Sequence, residues 1–318
     1  MFSKFAFVFP GQGSQYMHML DKLFTVYPFA QETLNEASEI LGYDVANLIK
    51  TNPKDKLNQT TFTQPILLAA SVTIWRIWKQ ITSILPIILA GHSLGEYSAL
   101  VCAEALTFSD GLKLVTERAS LMQKAVPNKQ GAMAAILGLS DKKVLALCEA
   151  EKLKKQIIQV ANFNAPGQVV IAGHRVAVEQ FNKTAKAAGA RRTILLPISV
   201  PAHCNLMIPA ADAFRDKLQK VTWQIPKINV IHNVNVQTHQ NVQSIINALI
   251  KQLSHPVRWV ETIQYITKLG IQDIIECGPG NVLTNLNKRI TSKISAITIG
   301  EKPDTIGQIF QKFHNKNI

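Results

Sequence analysis

Cysteine is scarce in this chain of 318 residues: four scattered thiols (Cys102, Cys148, Cys204, Cys277) with no C-x-x-C pair. That spacing offers neither a disulfide framework nor a zinc site, and it fits a reducing cytoplasm. No apolar run reaches the ~18 residues a membrane span needs. The run Pro65–Trp75 stops at Arg76, and Ile84–Ala90 contains Pro86. Met1–Pro10 has no long apolar stretch and no small-residue cleavage site, so no secretion signal is expected. Aromatics make up 7% of the chain, Arg only 8 of its 34 basic residues, and no basic run exceeds two. A nucleic-acid surface clusters Arg with stacking aromatics. The net charge of +13 therefore reads as a Lys-rich solvated surface, one that can also attract an acidic protein partner. With 17% charged and 47% hydrophobic residues, disorder is excluded, and 14 Pro and 16 Gly exclude a collagen-like or low-complexity chain. The length suggests one large or two ordinary domains with a sizeable core.

What is present alternates. Phe5–Phe9 reads as a buried strand ended by Pro10-Gly11, and helical patterns follow around Pro28–Leu41 and Pro65–Trp78. Ile84–Ala90 reads as a second buried strand, with helices over Tyr97–Ala105 and Asp110–Lys124. Strands alternating with helices imply a parallel sheet covered on both faces. The pattern then changes. Ala132–Leu139 is a strand, Asp141–Glu151 a helix capped by Asp141, and Ile157–Asn162 and Gln168–Ala172 two strands joined through Pro166-Gly167. Val176–Ala188 is a helix ended by Gly189, and Arg192–Ile198 a strand. The order β-α-β-β-α-β is that of a ferredoxin-like unit. The expected fold is thus α/β: a hydrolase-like parallel-sheet core from residues 1–128 and 201–318, with a small ferredoxin-like subdomain inserted at 129–200. Beyond it, Val230–Asn235 and Asp273–Cys277 read as strands. Gly278-Pro279-Gly280 leads into a helix at Asn281–Ile290, and Ile306, Ile309, Phe310 and Phe313 mark one face of a terminal helix.

Gly91-His92-Ser93-Leu94-Gly95 lies between an apolar strand and a helix, the setting of a nucleophile elbow. A sharp strand-to-helix turn crowds the backbone, so the flanking residues are glycines and the serine oxygen projects above the sheet. The helix N-terminus aims free N–H groups at the same spot. A nucleophilic serine needs a base, and His titrates near neutrality. His174, His203, His232, His239, His255 and His314 are all candidates, because such partners meet in space and not in sequence. His203 follows a strand and a Pro201 turn where the chain re-enters the large domain. Gly11-Gln12-Gly13-Ser14-Gln15 lacks the glycines of a dinucleotide fingerprint and the Lys of a phosphate loop. It is either a plain turn or the source of a second oxyanion donor. Arg118 falls in an apolar row with Leu114, Leu121 and Met122, and a buried arginine needs an anionic partner. That partner is either an internal carboxylate or one on a substrate, gripped by the guanidinium fork. No His/Cys pattern points to a metal.

Five ordered motifs carry a resemblance over nearly the whole chain: Phe9-Pro10-Gly11-Gln12-Gly13-Ser14-Gln15, Gly91-His92-Ser93-Leu94-Gly95-Glu96-Tyr97, Asn162-Phe163-Asn164-Ala165-Pro166-Gly167-Gln168, Val200-Pro201-Ala202-His203 and Gly278-Pro279-Gly280-Asn281-Val282-Leu283. The chain resembles bacterial malonyl-CoA–acyl carrier protein transacylases, whose pattern the acyltransferase domains of polyketide and fatty acid synthases share. The resemblance implies malonyl transfer from malonyl-CoA to the phosphopantetheine thiol of acyl carrier protein, for fatty acid synthesis, with no bound cofactor or metal. It implies Ser93 as nucleophile, His203 as general base, and the backbone N–H groups of Gln12 and Leu94 as the oxyanion hole. Arg118 would bind the malonyl carboxylate, and the backbone carbonyl of Gln252 would orient the histidine. His92, Met122, Asn162 and Val282 would line the pocket. Ala202 is a departure, since bacterial members often carry Ser there. Residues 129–200 hold 11 Lys+Arg against 4 Asp+Glu, so the acidic carrier protein is expected to dock on the small subdomain near the cleft. The rival readings are a serine hydrolase, in which water replaces the thiol, and a nucleic-acid-binding protein resting on charge alone.

Overall fold

The computed structural model describes residues 4–127, 129–152, 156–198, 200–300 and 302–315. Met1, Asn128, Ser199 and the side chain of His314 lie outside the described residues. The strands are β1 (Phe5–Phe9), β2 (Ile88–Gly91), β3 (Gly131–Leu137), β4 (Ile158–Ala165), β5 (Gln168–His174), β6 (Arg192–Leu195), β7 (Asn229–Ile231), β8 (Asp273–Glu276) and β9 (Ser295–Thr298). They form two sheets. One is parallel throughout, in the order β7-β2-β1-β8-β9. The other is antiparallel, in the order β4-β5-β3-β6.

β1 shows why the parallel sheet is a core element. All five of its residues are buried, and alternation splits them between two hydrophobic clusters. Phe5, Phe7 and Phe9 pack on one face with Trp78, while Ala6 and Val8 pack on the other with Trp259 and Ile263. Phe5 also stacks on Phe313 at 4.7 Å, which docks the terminal helix Asp304–Asn315. The antiparallel sheet divides in the same way. Ala134, Ile136, Val160 and Ile171 face the helices Asp141–Lys152 and Arg175–Ala187. Met133, Ala135, Val170 and Ala172 face the rest of the molecule, against Cys204.

The register decides where chemistry can occur. Val8 pairs with Ala90 on one side and with Glu276 on the other, so β1, β2 and β8 end level with one another. Ligands in open α/β sheets bind outside the carboxyl ends of the strands. At that edge stand Gly11-Gln12 after β1 and His92-Ser93 after β2.

The α/β expectation holds, with a parallel core sheet and a small antiparallel one; several boundaries do not. The apolar stretch from Ile84 is strand only over Ile88–Gly91, because Pro86 brings no donor to a ladder, and Leu85 and Ile87 are exposed. The second helix begins at Thr60 and carries Pro65 inside it. Ser140, not Asp141, caps the helix that follows β3: its hydroxyl accepts the Lys143 N–H at 3.3 Å. β6 stops at Leu195, two residues before Pro197, and β7 stops at Ile231. The helices Ile208–Gln219, Val242–Ser254 and Trp259–Lys268, and strand β9, have no counterpart in the sequence reading. Among the described residues no helix is long and apolar enough to cross a membrane.

Candidate active site

The turn after β2 is as tight as its glycines require. A Cβ on Gly91 would lie 1.9 Å from the Gly95 carbonyl carbon, and one on Gly95 would lie 2.0 Å from the Phe9 carbonyl oxygen. Between them Ser93 takes φ +53°, a left-handed conformation costing about 1–3 kcal/mol for a non-glycine residue. The helix Gly95–Cys102, buried along its whole length, starts immediately afterwards.

Ser93 Oγ lies 2.8 Å from His203 Nε2, and His203 Nδ1 lies 2.7 Å from the carbonyl oxygen of Gln252. A carbonyl only accepts, so Nδ1 carries the proton and the bare Nε2 accepts from the serine hydroxyl. Burial, reinforced by the charge of Arg118 nearby, pushes the pKa of His203 down to about 3, against the opposing pull of the Gln252 bond. The imidazole is therefore a neutral, available base at physiological pH. Of the other candidates, His174 accepts the Ile157 N–H, His255 bonds the Lys251 carbonyl, His239 contacts Asn235, and His232 pairs with Glu96. None of these reaches Ser93.

Arg118, on helix Phe108–Ala125, is 1% exposed and lies on the other side of the same hydroxyl. Its Nη1 donates to Gln64 Oε1 at 2.7 Å; its Nη2 donates to Ser93 Oγ at 3.1 Å and to Gln252 Oε1 at 2.9 Å. Among the described residues Nε has no hydrogen-bond partner, and the guanidinium sits 5.4 Å from the centre of the Tyr97 ring. Every hydrogen-bond partner is neutral. Among the described residues no carboxylate lies within ion-pair distance of Arg118; the buried Glu96 acts on the guanidinium only from a distance, across the Gln252 amide. Burial lowers the guanidinium pKa, but arginine remains charged.

These groups open into a cavity of about 160 Å³ between the two sheets. Gln12, His92, Leu94, Met122, Asn162 and Val282 all line it. The amide N–H groups of Gln12 and Leu94 donate to nothing among the described residues, which leaves both free for an incoming oxygen. Register shifts around Asn162 and Asn164 re-aim β4 toward the cavity. There Asn164 Oδ1 lies 2.8 Å from His92 Nε2, and burial lowers the His92 pKa. Val282, 41% exposed, stands at the mouth. A wider cavity of about 640 Å³, near Trp75 and Phe108, is lined by no serine, cysteine or histidine among the described residues. Its cations Arg76 and Lys79 are already paired with Glu36 and Glu104. Among the described residues no group of three or more His, Cys, Asp or Glu side chains could hold a metal ion.

No role follows from the sequence for Glu96 or Asn233, and His232 is there only one of six candidate bases; all three lie behind the elbow. Asn233 Oδ1 accepts the Ser93 N–H at 2.7 Å, and its amide nitrogen donates to the Gly91 carbonyl at 2.6 Å. A signal for the pair exists: two polar residues directly after the apolar residues of β7. Taken together, the site offers a serine hydroxyl, a neutral base oriented by a carbonyl, two free amide donors and an unpaired buried cation. That set suits attack on an acyl group bearing a carboxylate.

A family model described as acyl transferase domain matches residues 6–312. The malonyl CoA-acyl carrier protein transacylase of Salmonella typhimurium is 48% identical over 299 residues, covering 94% of this chain and 96% of the relative. That of Staphylococcus aureus is 36% identical over 305 residues, covering 96% and 98%. The solved malonyl CoA-acyl carrier protein transacylase from Coxiella burnetii superposes with a TM-score of 0.96 at 46% identity, covering 98% of each chain. A malonyl-transacylase solved in complex with its type II PKS acyl-carrier protein gives 0.95 at 46% identity, covering 97% of this chain and all of the other.

Proposed function

The chain belongs to the acyl transferase family, and on that premise we propose that it moves a malonyl group from malonyl-CoA to the phosphopantetheine thiol of acyl carrier protein, supplying fatty acid synthesis. The observation that carries this reading is the position of Ser93 Oγ, 2.8 Å from a neutral imidazole and 3.1 Å from a buried guanidinium that lacks an anion.

The malonyl carboxylate binds Arg118 in place of the Ser93 Oγ contact, while Gln252 keeps its hold on Nη2. The carboxylate's negative charge offsets the cation that depresses His203, so the imidazole becomes a stronger base once substrate is in place. His203 Nε2 takes the Ser93 proton as Oγ attacks the thioester carbonyl. The oxyanion is held by the Gln12 and Leu94 N–H groups, and the Gln252 carbonyl steadies the imidazolium. Collapse expels the CoA sulfur, which takes the proton from His203 and leaves a malonyl ester on Ser93. In the second half the phosphopantetheine thiol gives its proton to His203 and attacks the ester, and Ser93 leaves with that proton. Met122, Asn162, His92 and Val282 shape the pocket around the acyl chain. The dyad with its ping-pong order uses no metal and no bound cofactor.

Residues 129–200 act as an inserted ferredoxin-like subdomain on the remainder, a division supported by the β-α-β-β-α-β order and the antiparallel sheet. The acidic carrier protein docks on its basic face. Arg191 and Arg192 lie beside the exposed Ile194 and Leu195 of edge strand β6, and Leu196, next in the chain, lines the cavity. The cytoplasm is the proposed location, in keeping with four buried cysteine thiols. Intact-mass spectrometry after mixing with malonyl-CoA tests the function. The parent should carry one malonyl group and pass it to carrier protein, and Ser93→Ala should carry none. Rapid release of free malonate without a stable adduct would mean a hydrolase instead.

A further inference from the structure

Glu96 is fully buried in the first turn of helix Gly95–Cys102, yet neither it nor its partners His232, Asn233 and Gln252 line the cavity. Three donors converge on its carboxylate. His232 Nδ1 lies 2.7 Å from Oε1, while the Asn233 N–H (3.0 Å) and Gln252 Nε2 (2.8 Å) both donate to Oε2. Gln252 Nε2 also donates to the Ser93 carbonyl at 3.0 Å, and Gln252 Oε1 accepts from Arg118 Nη2 at 2.9 Å.

This arrangement permits one orientation of the Gln252 amide. Turned over, its oxygen would face the Glu96 carboxylate and the Ser93 carbonyl with no proton between them, and its NH₂ would face the guanidinium. The carboxylate thus sets which end of the amide meets Arg118, and the amide dipole joins a buried anion to a buried cation. The backbone carbonyl of the same glutamine holds His203, so one residue touches the nucleophile's backbone, the base and the substrate-binding cation. His232 is also fully buried. Among the described residues its Nε2 has no hydrogen-bond partner, so there the bond to Glu96 is the one its ring makes.

We propose that Glu96, held by His232, is a positioning residue that acts through the Gln252 side chain to keep Ser93, His203 and Arg118 in register. The proposal rests on the acyl-transfer reading for its selectivity arm and on geometry alone for its reactivity arm. If the amide is released, Arg118 loses its aim and the elbow loses a brace. Both carboxylate recognition and serine reactivity should then suffer.

The experiment uses the full chain with Glu96→Ala, Glu96→Gln, His232→Asn and Gln252→Met. One readout is the rate at which a fluorophosphonate probe labels Ser93. The other is the ratio of kcat/KM for malonyl-CoA to that for acetyl-CoA. In Glu96→Ala both should fall roughly tenfold, the scale expected when reacting groups drift from alignment. Glu96→Gln keeps an oxygen for Asn233 and Gln252 while its NH₂ meets the other tautomer of His232. His232→Asn keeps a donor near Nδ1, and both conservative variants should stay within about threefold of the parent. Gln252→Met retains the backbone carbonyl and should reproduce the selectivity loss, which covers the case of Glu96→Ala failing to fold. Parent-like labelling and selectivity in folded Glu96→Ala or in Gln252→Met would overturn the proposal, as would Glu96→Gln impaired as severely as Glu96→Ala. If the parent labels but forms no malonyl ester, the functional reading fails while labelling still reads the positioning role.

Discussion

Replacing Arg118 by Met separates recognition from architecture. The guanidinium is 1% exposed and its three acceptors, on Gln64, Gln252 and Ser93, are neutral. A buried charge without a counter-ion costs several kcal/mol. Arg118→Met removes that cost but leaves the Gln64 and Gln252 amide oxygens without donors, at about 1–3 kcal/mol each. The two effects nearly cancel, so the folding free energy should move by no more than about 2 kcal/mol and the melting temperature by roughly 5 °C in either direction. Function should not be spared. A malonyl carboxylate entering the mutated pocket is desolvated and unpaired, at a loss of about 2–5 kcal/mol, or roughly 30-fold to several thousand-fold in rate. Acetyl has no carboxylate to lose. Removing the cation also lets the His203 pKa rise, so acetylation of Ser93 should hold steady or increase. Quenched-flow acylation with malonyl-CoA and acetyl-CoA, beside a thermal melt, checks both halves. A melt lowered by more than 10 °C, or malonyl and acetyl rates falling in parallel, would show Arg118 to be a brace rather than a carboxylate clamp.

Fluorophosphonate labelling of Ser93 should be flat from pH 8 to pH 5, because burial and Arg118 hold the His203 pKa at about 3; an inflection at its ordinary 6.5 would refute that. Between those two values the unfolded chain binds a proton that the native imidazole refuses. Stability should therefore fall as pH drops through the window, by up to about 1.4 kcal/mol per pH unit, and His203→Gln should flatten the slope. A Cβ at Gly95 meets the Phe9 carbonyl, so Gly95→Ala should lose about 3 kcal/mol or more and abolish Ser93 labelling. Gly307→Ala, with open space in the terminal helix, should be neutral or slightly stabilising, and equal melts for the two variants would contradict the packing. Raising salt from about 50 to 300 mM should slow transfer to carrier protein steeply while leaving acylation by malonyl-CoA little changed; equal sensitivity would remove the basic face as docking surface.

Legibility in the sequence follows the range of the contacts involved. The elbow is local: strand, glycine, serine, glycine and helix occupy one short segment, and crowding between residues four apart dictates Gly91, although Gly95 answers to the Phe9 carbonyl of the neighbouring strand. Arg118 is legible as an oddity, a cation in an apolar stripe, but its neutral partners lie 54 and 134 residues away. Nothing local to Arg118 tells an internal acid from a substrate. His203 is one of six histidines that local pattern cannot rank, and only the fold brings it across 110 residues to Ser93. Glu96 is hidden for a similar reason, since its partners are 136 to 156 residues distant. A rule nonetheless connects the hidden residues to the visible ones. In a sheet covered on both faces a strand interior is apolar, so a polar residue at a strand's carboxyl end has either reached the rim or must find partners within it. His92-Ser93 follow β2, His232-Asn233 follow β7, and Glu276, fully buried at the end of β8, accepts the N–H groups of Leu283 and Thr284. The parallel register sets β1, β2 and β8 to end level, so these residues collect along one edge of the sheet. Applied to the sequence, the rule names Asn233, which holds the Ser93 N–H, and His232, which holds Glu96, without any knowledge of what they touch.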